Sequence, residues 1–305
     1  MLEWSSRREE TGVKVRFGVS LGVDVGADAL PGFVDQLESA GIDSLWFSEL
    51  VYSPAIDPVV GMAVALARSR HLKVGTSVAV LPGRNPVLVA KQLTSLAALA
   101  PKRVLPVFGL RSALPVERDL FVVPEGRRAA VFDESLHLLR RVLCEDTVTF
   151  SGEFFSVRDA TVLPKPAGLL DIWLGGSSPA GYRRIGAYGD GWLGSFLTPA
   201  EAREAVGQIR MAAAAAEREV PEDHYGINLA VGDGELPAPV RAAIRKRRPD
   251  LDPAELVAAD WAQLHRLLDG YIAAGLIKFV IRPAGTISTE DFLDTFVKEL
   301  LPRQN

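Results

Sequence analysis

The string Gly175-Gly176-Ser177-Ser178-Pro179 has the residue types of an anion-binding site. It follows an apolar run, residues 171–174, that we interpret as a strand, and two glycines there would let the backbone approach a ligand closely. Ser177 or Ser178 is a natural N-cap, and Pro179 suits the first position of a helix. The free N–H groups and the dipole of such a helix attract a phosphate. The alternative interpretation is a capped turn without a ligand.

Two charged residues are candidates for acid–base or orienting roles. Glu49 ends the second predicted strand and Arg111 follows the fourth. In a parallel barrel both would face the mouth, where such groups act. The alternative is an ion pair between Glu49 and Arg111 across the mouth. Arg84, in the loop after the third strand, would either contact an anion or cap a neighbouring helix.

The composition argues against several other classes of protein. The chain of 305 residues is 48% hydrophobic and 24% charged, which is ordinary for a globular protein with a large core. Its net charge of −4 does not favour a nucleic acid or an anionic membrane as partner. No apolar run approaches the roughly 20 residues that span a bilayer.

Residue usage also bears on location and metals. The polar residues 1–10 lack the apolar centre of a signal peptide. Cys144 is the single cysteine, which fits a reducing cytoplasm, and we expect it on the buried face of its helix. The four histidines show no metal-ligand spacing, so we predict no metal site.

Strands and helices must alternate to bring these residues together. Apolar runs typical of strands alternate with amphipathic helical patterns. The predicted strands are residues 15–21, 44–47, 73–80, 103–108, 171–174, 191–196, 225–231 and 278–282. Eight strand–helix units in a chain of this length favour a closed (β/α)8 TIM barrel, within one domain of residues 1–305, over an open doubly wound sheet.

Three segments do not fit the barrel pattern. We expect residues 1–14 to form a flexible N-terminal extension and residues 148–166 to form a hairpin excursion. Residues 232–253 are predicted to be an insertion, and a helix is expected over residues 254–274. The basic run of residues 241–248 is interpreted as a solvated helix face, with steering of an acidic cofactor tail as the alternative.

Several strings, taken in order, resemble the luciferase-like flavin and deazaflavin oxidoreductases over residues 15–300. They are Gly41-Ile42-Asp43-Ser44-Leu45-Trp46-Phe47-Ser48-Glu49, residues 72–82, Arg84-Asn85-Pro86, and residues 173–179 continuing to 189–193. The stretch Leu105-Pro106-Val107-Phe108-Gly109-Leu110 is similar to an actinobacterial group that depends on the deazaflavin coenzyme F420. The resemblance implies a bacterial-luciferase-like barrel, commonly a homodimer.

The resemblance also implies a tricyclic cofactor at the barrel mouth, coenzyme F420 or alternatively FMN. It implies a cis peptide bond between Ser77 and Val78, where a backbone bulge supports the ring. It gives cofactor-binding roles to a set of residues: Ser77, Val78, Gly109, Arg111, Gly175, Gly176, Ser177 and Ser178. Arg111 would face the ionised ring hydroxyl of a deazaflavin, where FMN has a methyl group.

This chain departs from the family pattern at two positions. Leu50 follows Glu49 where many deazaflavin enzymes have a catalytic histidine. Arg111 and Ser112 stand where those enzymes have a glycine-rich turn with an acidic residue. The cofactor site is therefore better defined than any acid–base group.

Three functions follow from these expectations. The first is an oxidoreductase that transfers a hydride between coenzyme F420 and a small organic substrate. The second is an FMN-dependent monooxygenase that uses molecular oxygen. The third is a flavin-binding barrel without turnover, which the missing histidine keeps open. We favour the first, because hydride chemistry belongs largely to the cofactor and does not require a protein proton donor.

Overall fold

A computed structural model describes residues 14–22 and 25–305. The predicted N-terminal extension therefore lies outside the described residues, apart from Lys14. The strands are β1 (Arg16–Ser20), β2 (Ser44–Phe47), β3 (Lys73–Thr76), β4 (Ala79–Val80), β5 (Val104–Leu105), β6 (Val107–Gly109), β7 (Val148–Ser151), β8 (Ser156–Ala160), β9 (Trp173–Gly175), β10 (Gly191–Ser195), β11 (Tyr225–Val231) and β12 (Lys278–Pro283). The helices are α1 (Leu30–Ala40), α2 (Pro58–Arg68), α3 (Pro86–Leu99), α4 (Arg128–Cys144), α5 (Pro179–Tyr188), α6 (Pro199–Ala215), α7 (Ala238–Arg247), α8 (Trp261–Ala273) and α9 (Thr289–Leu300).

Ten of the strands form one curled parallel sheet in the order β4-β6-β9-β10-β11-β12-β1-β2-β3-β5. The first and last strands along the chain, β1 and β12, are neighbours within it. Two predicted strands are each divided in two. The third divides at Ser77–Val78, and the fourth divides at Pro106, which has no N–H to donate to a ladder. Parallel pairing places the carboxyl ends of all these strands at one end of the sheet.

The sheet separates two layers of apolar side chains, because successive residues of a strand point to opposite faces. An inner cluster contains Trp46, Val107, Trp173, Leu193 and Val280. A much larger outer cluster joins the other face of the strands to the helices. The inner cluster fills the space beneath the carboxyl ends of the strands, so a ligand at that end would rest on a packed floor.

A buried group of charges lies at the amino end of the sheet. Asp43 Oδ2 lies 2.8 Å from Lys278 Nζ, and Asp43 Oδ1 lies 2.9 Å from Lys73 Nζ. The Lys278 ammonium lies 5.9 Å from the centre of the Trp46 ring. Burial alone would raise the pKa of Asp43, but the charges of Lys278 and Lys73 outweigh burial and lower that pKa to about 2. These contacts fix the ends of β2, β3 and β12.

Segments outside the main sheet confirm some expectations and correct others. The hairpin is confirmed, since β7 and β8 pair only with each other and are antiparallel. The helix predicted over residues 254–274 is wrong in its start: a short 3-10 turn, Pro253–Glu255, comes first, and α8 begins at Trp261 with Asp260 as N-cap. The acidic N-cap and the preceding irregular residues break what looked like one periodic segment.

Two further corrections concern single residues. Cys144 is exposed and not buried, because it is the last residue of α4 and Leu139 and Leu143 occupy the buried face. The basic run of residues 241–248 is helical as far as Arg247, but it is not simply solvated, since Arg248, the residue after the helix, pairs with Glu201 at 2.6 Å. None of the helices in the described part of the chain is long and apolar enough to cross a bilayer.

Candidate functional site

The peptide bond between Ser77 and Val78 is cis, as the resemblance implied. It lies between β3 and β4, and side chains from two other strands hold it in place. Ser77 Oγ donates a hydrogen bond to Asn228 Oδ1 at 2.8 Å. Ser48 Oγ donates to the Ser77 carbonyl at 3.1 Å. These contacts join the bulge to the carboxyl end of β2 and to the middle of β11.

The Val78 side chain lies against two glycines on neighbouring strands. A methyl group added at Gly109 would lie 2.6 Å from Val78 Cγ2, and one added at Gly175 would lie 3.0 Å from Val78 Cγ1. No side chain with a Cβ fits at Gly109 unless Val78 moves. The structure thus brings three of the predicted cofactor residues into one packed unit, the Val78 bulge, made of Val78, Gly109 and Gly175.

Glu49 pairs with Arg84, and the ion pair with Arg111 that the sequence left open does not form. Glu49 Oε1 accepts a hydrogen bond from the Arg84 guanidinium, and Glu49 Oε2 accepts one from the Val80 N–H at 2.7 Å. Burial is the largest influence on the Glu49 carboxyl and raises its pKa above the ordinary value, against the opposing effects of Val80 and Arg84. Both carboxyl oxygens are engaged in holding residues 80–84, so the geometry is that of a positioning group.

Arg84 therefore neither caps a helix nor stands free. Asn85 provides the cap of α3 instead, accepting a hydrogen bond from Val87 N–H. The Arg84 guanidinium lies 5.4 Å from the centre of the Phe121 ring. Its Nε atom is buried without a hydrogen-bond partner, which is uncommon for a buried donor.

The segment between β6 and α4 carries an acidic residue that the sequence reasoning missed. Glu117 is fully buried; its carboxylate accepts hydrogen bonds from Ser112 Oγ at 2.6 Å and from the Tyr52 N–H at 2.7 Å. It ties this segment to the loop after β2. Arg111 is exposed and makes no hydrogen bond or ion pair within residues 14–22 and 25–305.

Residues 175–178 form the strand-to-helix junction that the sequence predicted. Ser178 is the N-cap of α5, and its Oγ accepts a hydrogen bond from Gly181 N–H at 3.2 Å. Gly176 has a φ of 135°, which a residue with a Cβ rarely adopts, and open space surrounds it. The N–H groups of Gly176 and Ser177 have no acceptor among the described residues. They are free to bind an anion.

Three residues of this site were not singled out from the sequence. Asn228 is a polar residue inside an apolar strand, and that placement was the available signal. Trp192 donates from Nε1 to the Gly176 carbonyl at 2.9 Å, so a buried indole supports the junction of residues 175–178. The position of Trp192 in the sequence, one residue after Gly191, gave no indication of this contact.

Arg282 is the third missed residue. It lies two positions after Val280, which packs in the inner cluster, so alternation directs Arg282 into the space at the carboxyl end of the sheet. It is exposed and has no hydrogen bond or ion pair with any described residue. Protein nevertheless surrounds it closely enough that burial lowers its pKa. A charged residue at the end of an apolar strand was the signal that could have found it.

Across residues 14–22 and 25–305, no three histidine, cysteine or carboxylate side chains lie together in a group that could hold a metal ion.

Comparison with known proteins identifies the class of this barrel-like fold and its carboxyl-end site. The model of the luciferase-like monooxygenase family matches residues 11–266. The chain therefore belongs to the luciferase-like monooxygenase family.

One sequence relative is similar to the chain over about half of its length. The chain is 31% identical over 172 residues to an F420-dependent glucose-6-phosphate dehydrogenase of Kineococcus radiotolerans, a match that covers 54% of this chain and 51% of that protein. The chain thus spans about half the length of this relative.

The two solved structures match almost the whole chain. The first is an F420-dependent secondary alcohol dehydrogenase in complex with an F420-acetone adduct (TM-score 0.83, 18% identity, 96% of this chain and 100% of that chain). The second is a monooxygenase from Streptomyces bottropensis (TM-score 0.77, 19% identity, 94% of this chain and 99% of that chain). Identities this low establish a shared fold alone.

Proposed function

We propose that this protein is an oxidoreductase that transfers a hydride between the deazaflavin coenzyme F420 and a small organic substrate. The observation that carries the proposal is the Val78 bulge, which lies beside the free N–H groups of Gly176 and Ser177. A flat ring requires a firm apolar support, and its phosphate requires donors a short distance away. The name of the Kineococcus radiotolerans relative supports the choice of coenzyme F420.

The residues present fit such a cofactor. Because Gly109 and Gly175 have no side chains, the methyl groups of Val78 fill the space beside them. The packed bulge therefore presents a fixed surface to the mouth. The positive φ at Gly176 and the open space around it leave room for a phosphate above α5. Arg84 Nε, buried without a partner, is a further donor close to the bulge.

The bound deazaflavin would supply the hydride exchange itself. Val78 would support one face of its ring, and Gly176, Ser177 and Ser178 would bind its phosphate. Arg111 would donate to the ring oxygen and stabilise negative charge there, because a charge-assisted hydrogen bond is stronger than a neutral one. Glu49 has no free carboxyl oxygen, so it positions the loop of residues 80–84 and does not itself donate a proton.

We further propose that the curled sheet closes as a (β/α)8 barrel in a single domain. The third predicted strand contains β3 and β4, and the fourth contains β5 and β6. The strands at the two ends of the sheet, β4 and β5, therefore belong to predicted strands that are already neighbours, because β3 pairs with β5 and β4 pairs with β6. Treating each divided strand as one gives eight. The family expectation of a cytoplasmic homodimer is part of the same proposal, and light scattering of the purified protein measures the subunit number.

A titration of the purified protein with coenzyme F420 and with FMN, followed by fluorescence quenching, tests the function. We expect coenzyme F420 to bind tightly and FMN weakly. Replacing Gly176 with Val should weaken coenzyme F420 binding at least about tenfold, about 1.4 kcal/mol, because a side chain there would occupy the phosphate position.

Gly275→Val is the matched control. Gly275 also has a positive φ, 93°, and open surroundings, but it precedes β12 at the amino end of the sheet. Its replacement should leave cofactor affinity unchanged. Tight FMN binding without coenzyme F420 binding would favour the FMN-dependent monooxygenase, whose fold the Streptomyces bottropensis structure shares. Binding of either cofactor without turnover of any alcohol or sugar phosphate would favour the third function, a flavin-binding barrel without turnover.

A further inference from the structure

Asn228 is a polar side chain that crosses the interior of the curled sheet to reach Ser77, beside the Val78 bulge. It lies in the middle of β11. Three strands, β12, β1 and β2, separate β11 from β3 in the sheet. The hydrogen bond that Asn228 Oδ1 accepts from Ser77 Oγ at 2.8 Å therefore does not follow the ladder of the sheet. It spans the space that the strands enclose.

The direction of the Asn228 side chain follows from its neighbours along β11. Ile227 and Leu229 are buried in the outer cluster, so alternation points Asn228 to the opposite, inner face. The inner cluster is almost completely buried, whereas Asn228 is partly exposed. Solvent therefore reaches Asn228 from the carboxyl end of the sheet, where Ser77 and Val78 are also partly exposed.

The side-chain amide of Asn228 has a donor to spare. An asparagine side chain offers one acceptor oxygen and two N–H groups. Its oxygen accepts from Ser77, and its nitrogen has a single acceptor among the described residues, the Gly194 carbonyl on β10 at 3.5 Å. That distance is long for a hydrogen bond. The second N–H group of Asn228 has no acceptor in the described part of the chain and is free to bind a ligand at the mouth.

A free N–H donor of this kind suits the oxygen of a reacting carbonyl group. Such an oxygen gains negative charge when its carbon accepts a hydride, and a donor already in position stabilises that charge more than it stabilises the ground state. Leu50 stands where many deazaflavin enzymes have a catalytic histidine, so the residue after Glu49 has no donor side chain to offer. Asn228 offers one from another strand, next to the Val78 bulge.

We propose that Asn228 binds the carbonyl oxygen of the organic substrate through the free N–H group of its side chain. The inference rests on the proposed function for hydride transfer, and it adds a substrate-binding residue and the functional group that this residue recognises. The hydride forms a new C–H bond at the carbonyl carbon, and the π electrons of the C=O bond move to the oxygen beside Asn228. Water that enters through the mouth supplies the proton. The same N–H group holds the hydroxyl oxygen of an alcohol when the transfer runs in the other direction.

Nuclear magnetic resonance of the protein with ¹⁵N-labelled asparagine tests this contact without turnover. Asparagine occurs only at positions 85, 228 and 305, so the side-chain amide signal that Asn228→Leu removes belongs to Asn228. The protein is saturated with oxidised coenzyme F420 and titrated with cyclohexanone; both are hydride acceptors, so they do not react. We expect an amide proton of Asn228 to move downfield, while the amides at 85 and 305 stay in place. An unchanged Asn228 signal overturns the inference.

Two variants separate binding of the substrate from support of the bulge. Asn228→Leu and Ser48→Ala each remove one of the two side-chain hydrogen bonds that hold Ser77, but only Asn228→Leu removes a free donor. With ¹³C-labelled cyclohexanone as the probe, we expect Asn228→Leu to weaken ketone binding at least about fivefold and Ser48→Ala to change it less than about twofold. Equal losses in the two variants would mean that Asn228 only supports the bulge.

A cofactor titration of the same proteins separates this inference from the proposed function. If coenzyme F420 does not bind the unmodified protein, the proposed function is wrong and the inference falls with it. If coenzyme F420 binds and the Asn228 signal does not respond to cyclohexanone, the inference alone is wrong. If Asn228→Leu weakens coenzyme F420 binding as much as ketone binding, Asn228 contacts the cofactor and not the substrate, which also overturns the inference.

Discussion

At the scale of single residues, the Glu49–Arg84 pair joins a buried carboxylate to a cation that also contacts an aromatic ring. Glu49 is 8% exposed, and its other oxygen holds the Val80 N–H. Removing either charge leaves the partner desolvated without compensation, which costs more than the pair contributes. The two substitutions should therefore not be additive.

A double-mutant cycle measures this coupling. We expect Glu49→Gln and Arg84→Met to show a coupling free energy of at least about 1 kcal/mol in urea unfolding. Each single variant should also weaken coenzyme F420 binding, since residues 80–84 follow the Val78 bulge. If the losses in the free energy of unfolding are additive, the Glu49–Arg84 pair does not stabilise residues 80–84.

The sequence predicted which residues surround this site better than it predicted their partners. Glu49, Arg84 and Arg111 were all assigned to strand ends, as observed, yet the pairing of Glu49 with Arg84 was not foreseen. Order along the chain places a residue at a strand end. Which of two nearby cations pairs with a carboxylate depends on the path of the loop, and the local sequence does not fix that path.

At the scale of elements, the Val78 bulge is a packing arrangement between three strands. The methyl groups of Val78 occupy the positions that side chains at 109 and 175 would take. Overpacking of this kind typically costs about 1–3 kcal/mol. We expect Gly109→Ala to lower the free energy of unfolding by that amount.

Combining Gly109→Ala with Val78→Ala should recover part of the loss, because the smaller side chain returns the space. Gly207→Ala on α6 is the control; nothing lies within 4 Å of the added methyl group, and stability should stay equal or rise slightly. Thermal unfolding measures these three variants and Val78→Ala alone. If the double variant loses more stability than the two single variants lose together, Val78 and Gly109 do not compete for space.

Periodicity located the elements well, and it failed where tertiary contacts or caps decide the outcome. The strands at 44–47 and 225–231 have the predicted bounds, and the hairpin was separated correctly from the sheet. The helix expected from residue 254 begins at Trp261, where the Asp260 cap starts it. The division of the third strand was foreseen only through the family resemblance, since the residue types around Ser77 are ordinary for a strand.

At the scale of the whole molecule, the charges at the amino end of the sheet link stability to pH. The pKa of Asp43 is about 2 in the folded protein, compared with 3.8 for an aspartate that lacks these contacts. Because the folded value is the lower one, the stabilisation is present above pH 4 and is lost as the pH falls towards 2. From the size of the shift we expect a loss of about 2 kcal/mol over that range.

Asp43→Asn tests the assignment. The variant leaves Lys278 buried without its counter-charge and should be less stable by about 3–5 kcal/mol at neutral pH, with a smaller dependence on pH below 4. Asp35→Asn, which breaks the exposed pair with Arg68, should change little. Urea unfolding across this pH range measures both. Equal stability of the two variants would mean that the buried cluster does not hold β2, β3 and β12 together.

The contact of Val78 with Gly109 and Gly175 also has a consequence for how this family diverges. Three positions that are far apart in sequence share one fixed volume. Any lineage that enlarges the residue at 109 or 175 must shrink the residue at 78 in the same evolutionary step, or close to it. Aligned descendants should therefore show anticorrelated side-chain size among these positions, and the history of substitutions would record the volume that the three residues share.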